Sequence, residues 1–241
     1  MEKMRIQKYL SLCGVTSRRA AEDDIKKGFV YVNGKLCGIG QTIDPAVDTV
    51  TYKGKKVALK RENDRIYVML NKPRGYITTM SDELGRKTVL DLVSDIPERI
   101  YPIGRLDRDS EGLLLMTNDG ELTNILTHPT HKIPKIYHVK FKGKITDEQL
   151  EILRSPLVID GYKIRPVKTE IIRLTDNETV LEFTLFEGRN RQIRKMAEAA
   201  GLRIQRLTRI AVGNIKLGNL APGKYKYLTG KQVKYLKESE D

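Results

Sequence analysis

Residues 104–120 read G-R-L-D-R-D-S-E-G-L-L-L-M-T-N-D-G. Leu113 to Met116 make an uninterrupted apolar run bounded by turn-forming residues, the pattern of a strand buried in the middle of a sheet. Asn118-Asp119-Gly120 closes that strand. Leu122, Ile125 and Leu126 then recur at helical spacing, and Pro129 is expected to end the helix they define. On the upstream side, Gly104 and Gly112 bracket a loop able to hold an acidic side chain rigidly at the strand entrance. Asp107 lies there between Arg105 and Arg108, whose charges favour its ionised form, as a carboxylate nucleophile or base requires. A surface turn with local ion pairs is the other reading of so mixed a loop. Asp107 and Asp109 could contribute to a metal site, but no His or third carboxylate completes a set nearby, so no metal is expected. Glu111 is expected to point elsewhere.

Outward from this centre the chain alternates strand and helix signals. Ile66 to Leu70 reads as a buried strand, broken by Lys72-Pro73-Arg74-Gly75, and Ile77 to Met80 is expected to return as a second strand. Thr88 to Val93 suits a short helix. Tyr137 to Phe141 and Val180 to Phe186 alternate as half-buried strands. Thr146-x-x-Gln149 and Thr229-x-x-Gln232 are capping boxes. Strands outnumber helices and short links dominate, which predicts an α+β chain with a mixed, largely antiparallel sheet rather than a doubly wound parallel one.

The first sixty residues form a different pattern. Ile6, Tyr9, Leu10 and Cys13 fall at helical spacing, and Gly14 supplies a stop. Thr16 and Ser17 offer a cap for a second helix, Arg18 to Lys27, ended by Gly28. Phe29 to Val32 suits a strand that turns at Asn33-Gly34, and Val47 to Lys53 with Lys55 to Val57 completes a small sheet. The polar run Lys60 to Arg65 reads as a linker, dividing the chain into domains at 1–62 and 63–241.

Charge names the class of partner. Forty-four Lys and Arg against thirty-one Asp and Glu leave +13 over 241 residues, and residues 1–62 alone carry +6 of it. Such an excess, unevenly spread, points to nucleic acid. No stretch approaches the ~20 apolar residues of a membrane span. No apolar segment follows the charged Glu2 to Arg5, which argues against a secretion signal. Cys13 and Cys37 form no C-x-x-C pair, so a reduced, cytoplasmic protein without cofactor is expected. Arg18, Arg19, Lys26, Lys27 and Lys35 cluster on the small N-terminal scaffold as candidate RNA or DNA contacts. From 189 to 209 there are seven basic residues and one acidic one, Glu198. A solvated helix face interleaves both signs, so Arg189, Arg191, Arg194, Lys195, Arg203, Arg206 and Arg209 are better read as phosphate contacts. Asn190 can cap the helix that follows. Tyr137 is either a core aromatic or a ring presented to a base, and His138 on the opposite face carries little weight.

Two resemblances sharpen these readings. R-I-Q-K-Y-L, S-R-R-A-A-E-D-D-I-K-K-G and F-V-Y-V-N-G-K, spread over Met4 to Lys60, resemble an S4 RNA-binding domain, which implies structured RNA but no chemistry. K-P-R-G at 72–75, P-I-G-R-L-D at 102–107, G-L-L-L-M-T-N-D-G at 112–120, K-I-Y at 135–137 and E-G-R-N-R-Q-I-R-K-M at 187–196 resemble the RsuA/RluB branch of ribosomal RNA pseudouridine synthases. Departures are mild: Ser110 where threonine is frequent, Met116 for a leucine, and Ile136 where threonine is common.

The resemblance implies that Asp107 is the catalytic aspartate, that Arg105 helps displace the target nucleotide, that Tyr137 packs on the uracil ring, and that Arg194 pairs with the aspartate. It implies isomerisation of a uridine in ribosomal RNA or a ribosome assembly intermediate. No group is lost and no redox change occurs, so no cofactor is needed. I-Y-P-I-G-R-L-D and the H-P pair favour large-subunit (23S) rRNA over small-subunit (16S) rRNA. A non-catalytic S4-type assembly factor on a dead scaffold is the alternative, and family habit implies a monomer.

Overall fold

The computed structural model describes residues 2–59, 61, 64–128 and 130–238. They form two compact units. The first holds the N-terminal residues to Ile66, joined by Ile96–Tyr101 and Thr117–Gly120; the second holds Tyr67–Asp95, Pro102–Met116 and the chain from Glu121 onward. Within the expected linker, Lys60, Glu62 and Asn63 lie outside the described residues, as does Pro129, the expected helix stop. No helix of the described residues is long and apolar enough to cross a membrane.

In the first unit β1 (Met4–Arg5) leads into α1 (Ile6–Leu12) and α2 (Arg18–Lys26). Ser17 caps α2, its hydroxyl accepting from the Ala20 amide at 3.2 Å. Strands β2 (Val30–Val32), β3 (Lys35–Leu36), β4 (Thr42–Ile43), β5 (Val50–Tyr52) and β6 (Lys55–Val57) follow. β3-β2-β5-β6 form one antiparallel sheet, and β4 pairs with β1. Ile6, Tyr9, Leu10, Ala21, Ile25, Val30, Val32 and Val50 bury a single core between helices and sheet. Arg65 and Ile66 are anchored rather than loose. Arg65 donates to the Asp119 carboxylate at 3.0 Å, and the Ile66 amide donates to the Asn118 side chain at 2.8 Å. The N-D-G triplet thus works as a clamp, with Asn118 and Asp119 buried.

The second unit is built on one sheet. Its elements are β7 (Tyr67–Lys72), β8 (Tyr101–Pro102), β9 (Glu111–Thr117), α3 (Gly120–Thr127), β10 (Lys135–Lys142), α4 (Asp147–Arg154), β11 (Val158–Ile159), β12 (Tyr162–Lys163), β13 (Lys168–Leu174), β14 (Glu178–Leu185), α5 (Gln192–Ala199), β15 (Ile204–Val212), β16 (Ile215–Lys216), β17 (Tyr225–Tyr227) and α6 (Gly230–Lys237). The nine-stranded sheet runs β13-β14-β10-β15-β9-β7-β17, with β8 on β9 and β16 on β15, while β11 and β12 pair as a separate hairpin. β15 with β9 is parallel; β13–β14, β14–β10, β10–β15 and β7–β17 are antiparallel. The mixed α+β sheet is therefore as the pattern predicts. Both capping boxes form: the Gln149 amide donates to Thr146 at 3.3 Å and the Gln232 amide to Thr229 at 3.3 Å.

Two apolar clusters lie against the sheet. One gathers Val139, Phe141, Leu181 and Phe183 with Leu150 and Leu153 of α4 and Ile193 and Met196 of α5. The other gathers Met69, Leu113 and Leu115 with Leu122, Ile125 and Leu126 of α3 and Leu236 of α6. The return strand expected at Ile77 to Met80 does not form; only Ile77 makes an isolated bridge, to Thr88. The segment's polar groups go elsewhere, since Ile77 serves the 87–89 backbone and Thr78 turns its hydroxyl to Leu106. Val89–Leu92 is a 3-10 turn rather than an α-helix.

Candidate active site

The loop 104–112 is fastened from three sides. Thr78 Oγ1 donates to the Leu106 carbonyl at 2.7 Å and accepts from the Leu106 amide at 3.3 Å. The Gly75 amide donates to the Arg108 carbonyl at 2.7 Å. From below, Lys72 at the end of β7 is fully buried, and its Nζ donates to the carbonyls of Asp107 (3.0 Å), Ser110 (2.8 Å) and Pro73 (3.1 Å). Burial pushes this lysine down to about 8, with Asp107, Asp109 and Glu111 opposing the shift. An ammonium with three protons matched to three carbonyls is fully satisfied, which is what permits it inside the fold.

At its far end the loop meets β15. Gly112 has φ +104° and pairs in register with Arg209. A Cβ there would collide with the Arg209 carbonyl oxygen and stand 2.8 Å from its amide nitrogen. Only glycine permits so close an approach. Glu111 does point away, as expected: it accepts from Thr208 at 2.8 Å and pairs with Arg206.

Helix α5 supplies the cations. Arg191, not Asn190, occupies its N-cap position, in the left-handed conformation with φ +51° and without a side-chain cap. Asn190 is exposed and does not cap the helix. From that corner Arg191 Nη1 reaches Asp107 Oδ2 at 3.4 Å and Asp109 Oδ1 at 3.3 Å. One turn in, Arg194 Nη2 donates to the Asp109 carbonyl (3.1 Å) and to Ser110 Oγ (3.2 Å). Its Nε is buried, makes no hydrogen bond among the described residues, and stands 3.8 Å from Asp107 Oδ2. The cations that face Asp107 are therefore Arg191 and Arg194, not its sequence neighbours Arg105 and Arg108. The Asp107 side chain keeps about a third of its surface open (32%), so the carboxylate is both held and reachable.

These groups line one pocket of about 240 Å³. Asp107, Arg105, Tyr137, Arg189, Arg191 and Arg194 all border it, so the candidate catalytic residues and three of the candidate RNA contacts converge. Leu115, Leu126, Leu185, Ile193 and Leu207 give it apolar walls drawn from both clusters. Tyr137 packs against the first cluster and also lines the pocket. His138 lies on the opposite face of β10, 3.1 Å from Glu182. Arg189 lies flat on the Tyr162 ring, 3.2 Å from its centroid, and Lys195 pairs with Asp160, outside the pocket. Arg18, Arg19, Lys26, Lys27 and Lys35 are exposed on α2 and the small sheet of the first unit. Lys72 and Thr78 were not evident as site residues. The signals for Lys72 were its place at the end of the strand run Tyr67 to Lys72 and in the K-P-R-G stretch at 72–75.

The pocket brings one accessible carboxylate together with an aromatic ring and several arginines, and comparison with known proteins fixes the class. The RNA pseudouridylate synthase family matches residues 66–199 and the S4 domain matches residues 4–46. The chain belongs to the RNA pseudouridine synthase family, as isomerases of the RsuA/RluB type carrying an S4 domain. Its sequence is 41% identical over 240 residues to the ribosomal large subunit pseudouridine synthase B of Bacillus subtilis, covering 98% of this chain and 97% of that one. It is 42% identical over 230 residues to an uncharacterized RNA pseudouridine synthase of Aquifex aeolicus, covering 95% and 91%. A crystal structure of a pseudouridylate synthase superimposes with a TM-score of 0.67 at 26% identity, covering 97% of this chain and 99% of that one.

Proposed function

We propose that this enzyme isomerises a uridine of large-subunit ribosomal RNA, in the cytoplasm, with Asp107 as its catalytic carboxylate. The observation that carries the reading is the placement of Asp107: an accessible carboxylate, anchored through its own backbone, lining a pocket of about 240 Å³ together with Tyr137. The similarity to the large-subunit synthase of Bacillus subtilis supports the choice of RNA.

The chemistry follows from the residues. A uridine inside helical RNA must first leave its stack, at a cost of a few kcal/mol. Arg105 and Arg189, exposed at the pocket rim, offset that cost by meeting phosphates. Tyr137 packs on the uracil face while the C1′–N1 bond breaks, the base turns, and C5 joins C1′. Arg191 and Arg194 hold the carboxylate toward the sugar side of the pocket. Residues 1–62, with Arg18, Arg19, Lys26, Lys27 and Lys35, grip the surrounding RNA, and the enzyme acts as a monomer on free rRNA or an assembly intermediate.

Asp107→Asn is the test. The variant should bind rRNA as before and form no pseudouridine, measured by tritium release from 5-labelled uridine. Appreciable turnover would remove Asp107 from the role. Pseudouridine mapping in cells with and without the protein identifies the RNA, and a change confined to 16S rRNA would overturn the large-subunit assignment.

A further inference from the structure

The pocket holds two cations that the roles above leave unused. Arg209, in β15, is 5% exposed, and its one hydrogen bond among the described residues runs from Nε to the Leu113 carbonyl at 2.7 Å. Lys135, two residues before Tyr137 on the same face of β10, is half-buried. Among the described residues its ammonium has neither a hydrogen bond nor an ion pair. Arg209 is the cross-strand partner of Tyr137. Both cations line the pocket.

An unpaired charge away from water is costly, so a fold that keeps two side by side has a use for them. Burial pushes the Lys135 ammonium below its ordinary range, and the Arg209 charge adds to the effect. Phosphate is met at the rim, where Arg105, Arg189 and Arg191 are exposed. What reaches the buried floor is the part of the nucleotide that enters the pocket, its base.

We propose that Lys135 and Arg209 are catalytic residues that take up the negative charge of the departing uracil. This rests on the pocket being the site of isomerisation. When the C1′–N1 bond breaks, its electron pair leaves with the base, and the anion spreads over N1, O2 and O4. Two cations under the ring stabilise those oxygens while the base turns beside Tyr137. C5 then returns an electron pair to C1′, and the C5 proton is transferred so that N1 ends protonated. Charge develops on the base in the transition state, so the floor favours that state over the bound uridine.

The test compares Lys135→Met and Lys135→Arg with the wild type on an rRNA fragment bearing either uridine or 5-fluorouridine at the target. Fluorine draws charge from the ring, so the base leaves more readily without help. Single-turnover loss of the N-linked nucleoside should fall about 100-fold for Lys135→Met on uridine, the scale of losing one oxyanion donor. RNA affinity should hold. The loss should shrink at least several-fold on 5-fluorouridine, and Lys135→Arg should restore most of the rate. The Lys135 ammonium has no partner among the described residues, so the melting midpoint should not fall. An equal loss on both bases, or weakened RNA binding at an unchanged rate, would assign Lys135 to the phosphate backbone and overturn the proposal. Activity in Asp107→Asn would instead overturn the pocket itself.

Discussion

Gly112 and Arg209 meet backbone to backbone, at one of the two registered pairs where β9 and β15 run parallel. The contact joins the aspartate loop to the strand that lies beside Tyr137, so it sets the width of the pocket. Gly112→Ala must both abandon φ +104° and part the two strands. It should cost about 3 kcal/mol or more, from strain and overpacking together. Urea unfolding would measure this, and a loss under 1 kcal/mol would contradict the contact.

Lys72→Met keeps the bulk of the side chain and removes its three protons. Three carbonyls, among them that of Asp107, lose their donor. At about 1–3 kcal/mol for a buried group left unsatisfied, and with some relaxation, a loss of about 3–5 kcal/mol is expected. The rate constant should drop even at temperatures where the variant is fully folded. Methionine leaving both unchanged would show that the clamp is idle.

Lys72 also predicts a pH dependence. Its folded value of about 8 lies below the ordinary 10.5, so between these values the unfolded chain binds the additional proton. Stability linked to this group therefore rises with pH across that window. Activity moves the other way, because a neutral amine has two protons for three carbonyls. Between pH 8 and 9, below the range where the buried Cys13 and Cys37 thiols pull stability the other way, the rate should decline while the melting midpoint holds or climbs. A joint decline of both would refute the assignment.

Arg18→Ala with Arg19→Ala should weaken rRNA binding without changing the single-turnover rate at saturation. The slope of log affinity against log salt should fall by roughly 1–2, one phosphate contact or so per arginine. An unaltered slope would take α2 out of the RNA interface.

Local chemistry explains what the sequence revealed. Thr146 and Gln149 are one helical turn apart and bond to each other, so their pattern is complete within four residues. The run Leu113 to Met116 and the alternation from Tyr137 to Phe141 declare burial by spacing alone. Asp107 was legible as a residue and the resemblance supplied Arg194 as its partner, but Arg191 was not legible as a second counter-ion, because it reaches the aspartate from 84 positions away. The corner that aims Arg191 is a left-handed residue without glycine, which no local rule announces. The Ile77 to Met80 segment misled for the same reason. Its strand-like composition lost to a distant demand for a hydroxyl at Leu106.

The pocket takes its walls from both apolar clusters, Leu185 and Leu207 from one and Leu115 and Leu126 from the other. It lies on a seam, and a seam reports on both pieces of cloth. Loosening either layer dismantles the catalytic geometry even while its neighbour stays intact. Heating should therefore silence the enzyme at the softening of its weaker half, before the helical signal of the stronger half has begun to fade.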